Sequence, residues 1–168
     1  LLVRGAISDT KPAGLYVVGD PDPLEIHRMG VELRVALPRL EIRSVDVLFE
    51  THPHASCPLV VPRYQALVGL CIARGFTHEV RKLFGGPRGC THTNALLQAM
   101  APAVVQALWS VSVQRDRAAG RSQDAGDASD REARMAGSID TCHVWDEEGE
   151  HVAALRRDVL ALLVPHVT

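Results

Sequence analysis

No CxxC pair occurs among the four cysteines of this chain, at positions 57, 71, 90 and 142, so the compact spacing that marks many zinc and dithiol redox motifs is absent. The glycine-rich stretch that begins at Gly85 is not followed by Gly-Lys-Ser/Thr, which excludes a Walker-type phosphate loop. Nor does the chain carry a Ser-His-Asp signature. Eighteen Lys and Arg residues against 20 Asp and Glu leave a net charge of −2, without the basic excess expected of a nucleic-acid-binding domain. No uninterrupted apolar run approaches the roughly 18 residues of a membrane span, so no membrane segment is expected. Leu1 stands where an initiator Met would, which leaves a start upstream of it open.

Against these absences stands a composition of 46% hydrophobic and 23% charged residues in 168, enough for one domain, 1–168, to bury its own core without disulfides. A reducing cytoplasm is the expected compartment, although the even cysteine count keeps a disulfide open. A small molecule or a protein is the expected partner.

Residues 24–49, LEIHRMGVELRVALPRLEIRSVDVLF, alternate apolar and polar side chains as two antiparallel strands would, with a turn at Pro38 and Arg39. The preceding GLYVVG reads as a third, short strand closed by GDPDP. Tyr64, Leu67, Leu70 and Cys71 then fall on a helical stripe capped by Gly75, followed by a short helix at THEVRKLF. A long helix is expected from Thr93 to about Val113, with Leu96, Leu97, Met100, Val104, Leu108 and Val111 inward and a kink at Pro102. SIDTCHVWDEEGEHV reads as a hairpin and VAALRRDVLALLVPH as a final amphipathic helix. The fold class is therefore α+β: a small antiparallel sheet packed against helices.

The stretch GGPRGCTHTNALL carries the strongest chemical signal. Its glycines and Pro87 form a loop, Thr91 or Thr93 can cap the following helix, and Cys90 and His92 stand at the positive end of that helix, where a thiolate is favoured. His27, Cys57, Cys142 and His143 also sit near element ends. His27, Cys57, Cys90, His92 and Cys142 are therefore the candidate ligands of one Cys/His site for zinc or iron. In the competing reading Cys90 is a catalytic nucleophile with His92 or His143 as its base, and in a third the cysteines are inert core of an interaction module. For Cys57 packing and ligation weigh equally; Cys71 reads as core. His52 and His54 read as loop residues, and His78, His151 and His166 as solvated. Glu50, Asp140 and Asp146 are weaker acid or base candidates, and Arg88 with Lys82 could assist an anion at the glycine loop.

The segments DTK, IHRMGVELRV, LVGLCIARGF, LFGGPRGCTH and DTCHVW, with Cys57, resemble a bacterial family of domains of unknown function marked by GCTH (DUF2889-like), over nearly the whole chain. That resemblance implies no activity, but it supports His27, Met29, Cys57, Cys90, His92 and Cys142 as a shared pattern. More distantly, the order of His27, Cys57 and Cys90 is similar to that of the ligands in iron–sulfur scaffold proteins of the NifU/IscU type. This likeness implies a NifU/IscU-like topology and an iron–sulfur cluster as a further occupant. The scaffolds place cysteine where His27 stands and histidine where Gly89 stands, so the ligand set differs.

Residues 114–137, with charges of both signs and almost nothing to bury, read as a flexible insertion or linker that the fold does not need. Limited proteolysis of the folded protein is expected to cut there first. Cleavage elsewhere, with this segment protected, would assign it to the structured part.

Overall fold

The computed structural model describes residues 1–73, 75–121, 133 and 136–157. The chain has the expected α+β architecture: an antiparallel sheet in the order β1 (Leu2–Lys11), β2 (Leu24–Ala36), β3 (Glu41–Thr51), with helices α1 (Phe76–Phe84), α2 (Thr91–Ala118) and α3 (Glu150–Arg156). It divides into two compact units, Leu1–Val111 and Ser112–Thr168.

The sheet is built from alternation. In β2, Met29, Val31, Leu33 and Val35 are buried, and opposite them in β3 stand Phe49, Val47, Val45 and Ile42. On the other side β1 brings Ile7 to Met29, Gly5 to Val31 and Val3 to Leu33. The first strand is thus Leu2–Lys11, whereas the expected strand GLYVVG lies in the turn-rich β1–β2 connection, with Leu15 to Val18 exposed. The β1 alternation is the stronger pattern because every second residue meets the β2 stripe; Leu15–Val18 is a continuous run with no sheet face to receive it. Between β2 and β3 the chain turns at Leu37–Pro38, a cis peptide, as the proline suggested.

The segment after β3 departs from its expected helix. Cys57–Leu67 forms 3-10 turns containing Pro58 and Pro62, which cannot donate backbone hydrogen bonds, and buries Tyr64 and Leu67. The chain then reverses at Gly69 (φ +90°) and runs extended, with Ile42 N–H donating to Leu70 O and Ile72 N–H to Leu40 O, both at 2.9 Å. Cys71 is half-buried and bridges Glu41 instead of lying on a helical stripe. Gly75 (φ +92°) opens α1 and does not close an earlier helix. Phe76, Val80 and Phe84 turn the buried face of α1 to the core.

Helix α2 lies on the same sheet face as Met29 and Val31. Its buried residues are Thr93, Leu96, Leu97, Met100 and Val104, and Leu108 packs against the core from a half-buried position. Gly5 leaves room for this packing: a Cβ there would stand 2.7 Å from Met100 Sδ and 3.0 Å from Leu96 Cδ1, so both side chains would have to shift. Helix α2 continues through Pro102 and is not divided there. By length and composition alone α2 could cross a membrane, with a mean hydropathy of 1.5 over its most apolar window. Counting unbroken apolar runs overlooks this, because Gln98 and Gln106 interrupt the run without adding charge. The buried stripe accounts for the apolar character of its first half as core.

In the second unit, the expected hairpin is instead a 3-10 turn at His143–Trp145 followed by α3. Asp140 N–H donates to Trp145 O at 2.8 Å, and Glu147 N–H donates to Asp140 Oδ1 at 3.0 Å, so turns absorb the polar backbone that strands would have paired. The final helix is described only through Arg156, and of the expected linker at 114–137 residues 122–132 and 134–135 lie outside the described residues.

Leu97, fully buried between α2 and the sheet core, should be costly to truncate. Leu97→Ala is expected to lower unfolding free energy by about 2–5 kcal/mol in urea titrations. A loss below about 1 kcal/mol, the scale of exposed substitutions, would contradict its place in the core.

Candidate functional site

The sheet face that carries α2 becomes polar at one end. Asp9 pairs with His27 across β1 and β2, directly after Ile7 and Met29, so both side chains continue the inward-facing rows. Helix α2 begins above them, and the His92 ring stacks on His27 with centroids 4.0 Å apart and planes at 29°. His27 Nδ1 lies 3.3 Å from Asp9 Oδ2, and Lys11 Nζ donates to Asp9 Oδ1 at 2.6 Å. Asp9, His27 and His92 each offer a ligand atom within 4.8 Å of the others, and all three side chains are half-buried.

Two features hold the start of α2 in place. Cys90 occupies the N-cap position, its carbonyl accepting the Asn94 N–H at 2.9 Å, while its own N–H donates to the Tyr64 hydroxyl at 2.8 Å. That hydroxyl donates onward to Asn94 Oδ1 at 3.0 Å, and Asn94 Nδ2 donates to Phe84 O at 2.7 Å. Neither Thr91 nor Thr93 therefore caps the helix: Thr91 is its first residue and Thr93 is buried. Gly89 is needed for contact, since a Cβ there would meet Phe84 O at 2.5 Å and Phe84 Cβ at 2.7 Å. The loop is thus a close-packed hinge between α1 and α2 that delivers Cys90 and His92. Cys90 Sγ stands 3.9 Å from His92 Nδ1.

The electrostatics follow from these neighbours. The hydrogen bond from Lys11 holds Asp9 below the usual carboxylate range; burial, the next effect in size, opposes it, and His27 adds to the lowering. The hydrogen bond to Asp9 raises Lys11 in turn. Burial, reinforced by His27 and Lys11, lowers His92, while Asp9 pulls the other way. A lowered His92 is neutral at pH 7, the form that binds a metal or accepts a proton.

Of the sequence candidates, the structure brings together His27 and His92, with Cys90 at their edge. Cys57 is half-buried at the first position of its 3-10 segment and is not part of the three-residue group, so His27, Cys57 and Cys90 do not form the common cluster their order suggested. Cys142 and His143 are exposed in the second unit. All four cysteines are free thiols. Glu50 pairs with Arg28 at 2.7 Å, Lys82 with Glu79 at 3.3 Å, and Asp140 and Asp146 cap turns, so ion pairs and backbone groups engage these candidates. Asp9 and Lys11 were missed as site residues. The signal was available: both fall on the inward positions of an alternating strand, where a charged side chain needs a partner.

Residues 1–106 match the family described as Protein of unknown function (DUF2889). The match includes Asp9, Lys11, His27, Cys57, Cys90 and His92 and stops short of DTCHVW, so the resemblance covers less of the chain than expected and Cys142 lies outside it. No curated protein and no solved structure matches the chain. The NifU/IscU likeness therefore rests on the order of His27, Cys57 and Cys90 alone.

The lowered His92 has a thermodynamic signature. Its folded-state value lies below the ordinary 6.5, so as pH falls the unfolded chain binds this proton first. Its contribution to stability is full above that ordinary value and is lost as pH falls through it toward the folded one. Urea unfolding in chelator-treated buffer is expected to show a shallower loss of stability in this window for His92→Gln than for the parent. An unchanged slope would contradict the environment assigned to His92.

Proposed function

The chain belongs to that family of unknown function, and from the geometry of its own site we propose that it binds one divalent metal ion, zinc or iron, through Asp9, His27 and His92. The observation that carries this reading is the convergence of two imidazoles and one carboxylate from three separate elements. Two ligand atoms bound at about 2.1 Å in a tetrahedral shell stand about 3.4 Å apart, and the Asp9 Oδ2 to His27 Nδ1 separation is 3.3 Å. Two histidines and a carboxylate with positions left open form a ligand set used by non-haem iron and by catalytic zinc. Cys90 Sγ, 3.9 Å from His92 Nδ1, lies at the edge of this group and is the nearby thiol that a spectroscopic test can include or exclude as a ligand. The set is mononuclear in character and poor in sulfur, which argues against a cluster scaffold built on three cysteines.

A second reading has its own observation. The Cys90 Sγ to His92 Nδ1 contact is that of a thiol beside a neutral base, at the start of a long helix. In this arrangement His92 would accept the Cys90 proton, and the Asp9 carboxylate would stabilise the resulting imidazolium.

The readings separate in one experiment. Chelator-stripped protein is expected to take up one Co(II) or Zn(II) per chain and to melt at a higher temperature with the ion bound. Asp9→Ala, His27→Ala and His92→Ala should each weaken uptake by about tenfold or more, while Cys57→Ser and Cys142→Ser keep it at one per chain. Cys90→Ser should remove thiolate-to-cobalt absorption if the sulfur is a ligand. Folded protein that takes up no ion, but whose Cys90 is alkylated rapidly in a His92-dependent way, would replace the metal reading with the thiol one.

A further inference from the structure

Lys11 contacts the three-residue group through Asp9 and cannot serve as a ligand while charged, yet it is built into the same face. It has the inward parity of Asp9, an irregularity in the β1–β2 register falls between Asp9 and Thr10, and its ammonium sits 2.6 Å from Asp9 Oδ1. An ion bound by Asp9, His27 and His92 would place two or more positive charges beside this ammonium. Asp9 would then share its charge with the ion, and the bond to Lys11 would weaken. The flexible four-carbon stem lets the ammonium turn away from Asp9 while staying at the rim of the site. Three protein ligands leave coordination positions open, and the first turn of α2 adds a positive helix end with no acidic residue of its own. A metal held by Asp9, His27 and His92, with Lys11 and the start of α2 beside it, would form a receptor for an oxyanion.

Resting on the metal reading above, we infer that the site's ligand or substrate bears a carboxylate, one oxygen on the metal and the other on Lys11. The identity of the anion is drawn from the structure itself: Lys11 is now satisfied by a carboxylate oxygen of Asp9, so a ligand carboxylate can take over the same hydrogen bond. Lys11 acts first as the counter-ion that keeps Asp9 in place and then as the group that selects the ligand.

The test uses the full chain loaded with Co(II), with acetate and inorganic phosphate as probes and the visible spectrum of the ion as readout. Acetate is expected to change the spectrum saturably in the parent. In Lys11→Met the ion should bind at least as tightly, while acetate affinity falls by about tenfold or more, the scale of a lost charge-assisted hydrogen bond. Lys11→Arg should recover most of that loss. Acetate affinity within roughly twofold of the parent in Lys11→Met would overturn the inference, as would loss of the cobalt itself from that variant while it remains folded. Lysine-dependent binding of phosphate without acetate binding would overturn the choice of a carboxylate. Failure of the parent to bind Co(II) at all would show instead that the underlying metal reading had failed.

Discussion

The close seating of α2 on the sheet at Gly5 is the constraint on which the site depends. His92, Leu96, Met100 and Val104 lie four residues apart on one stripe of the helix, a step of about 6 Å along its axis. Across from it, Val3, Gly5, Ile7 and Asp9 advance along β1 in steps of about 6.6 Å, with His27 and Met29 as partners of the last two. The two rows keep nearly equal pace. Once Leu96 and Met100 settle over Gly5, one turn back along the helix sets His92 over the polar end of the sheet, on His27. An apolar interface and a polar cluster are therefore successive parts of one packing arrangement.

The second determinant is the small network at the head of α2. Tyr64 is fully buried, and its hydroxyl ties the Cys90 N–H to the Asn94 side chain, while Asn94 reaches Phe84 O at the end of α1. The Tyr64 ring also packs on Phe84 with centroids 4.6 Å apart. Burial raises the phenol above its usual range, so the hydroxyl keeps its proton and can accept one hydrogen bond and donate another. Gly89 permits the chain to pass through this contact. The glycines of GGPRGC thus serve packing and helix initiation, and the chemistry rests with the side chains they deliver.

Much of this arrangement was legible along the chain, and the failures have particular causes. The alternation of 24–49 identified β2 and β3 because each second residue meets a core, and the apolar period of α2 identified its buried stripe. The same alternation at 2–11 was overlooked because its inward row includes glycine, aspartate and lysine where apolar side chains usually stand. Tyr64, Leu67, Leu70 and Cys71 matched a helical period by coincidence: Pro58, Pro62 and the left-handed Gly69 break the backbone pattern that the side chains imitate. Cys90 and His92 were recognisable from their placement at the start of a helix, whereas His27, expected at an element end, lies inside β2 opposite Asp9. Asp9 is marked only as a charged residue on an inward strand position; nothing in its local sequence announces that a histidine 18 positions away is its partner.

By itself the sequence determined the α+β class, the inward rows of β2, the start of a long helix at GCTH and the chemical types available there, because these depend on residues a few positions apart. Only the tertiary structure decided which of those types meet. Cysteines 57, 90 and 142 are alike as letters, but one opens a 3-10 segment outside the three-residue group, one caps α2 beside His92, and one is exposed in the second unit. The partners of His92 were selected by strand register and by the height at which a helix can rest on a glycine. Those are distances through space, and a one-dimensional pattern carries them only after the chain has packed.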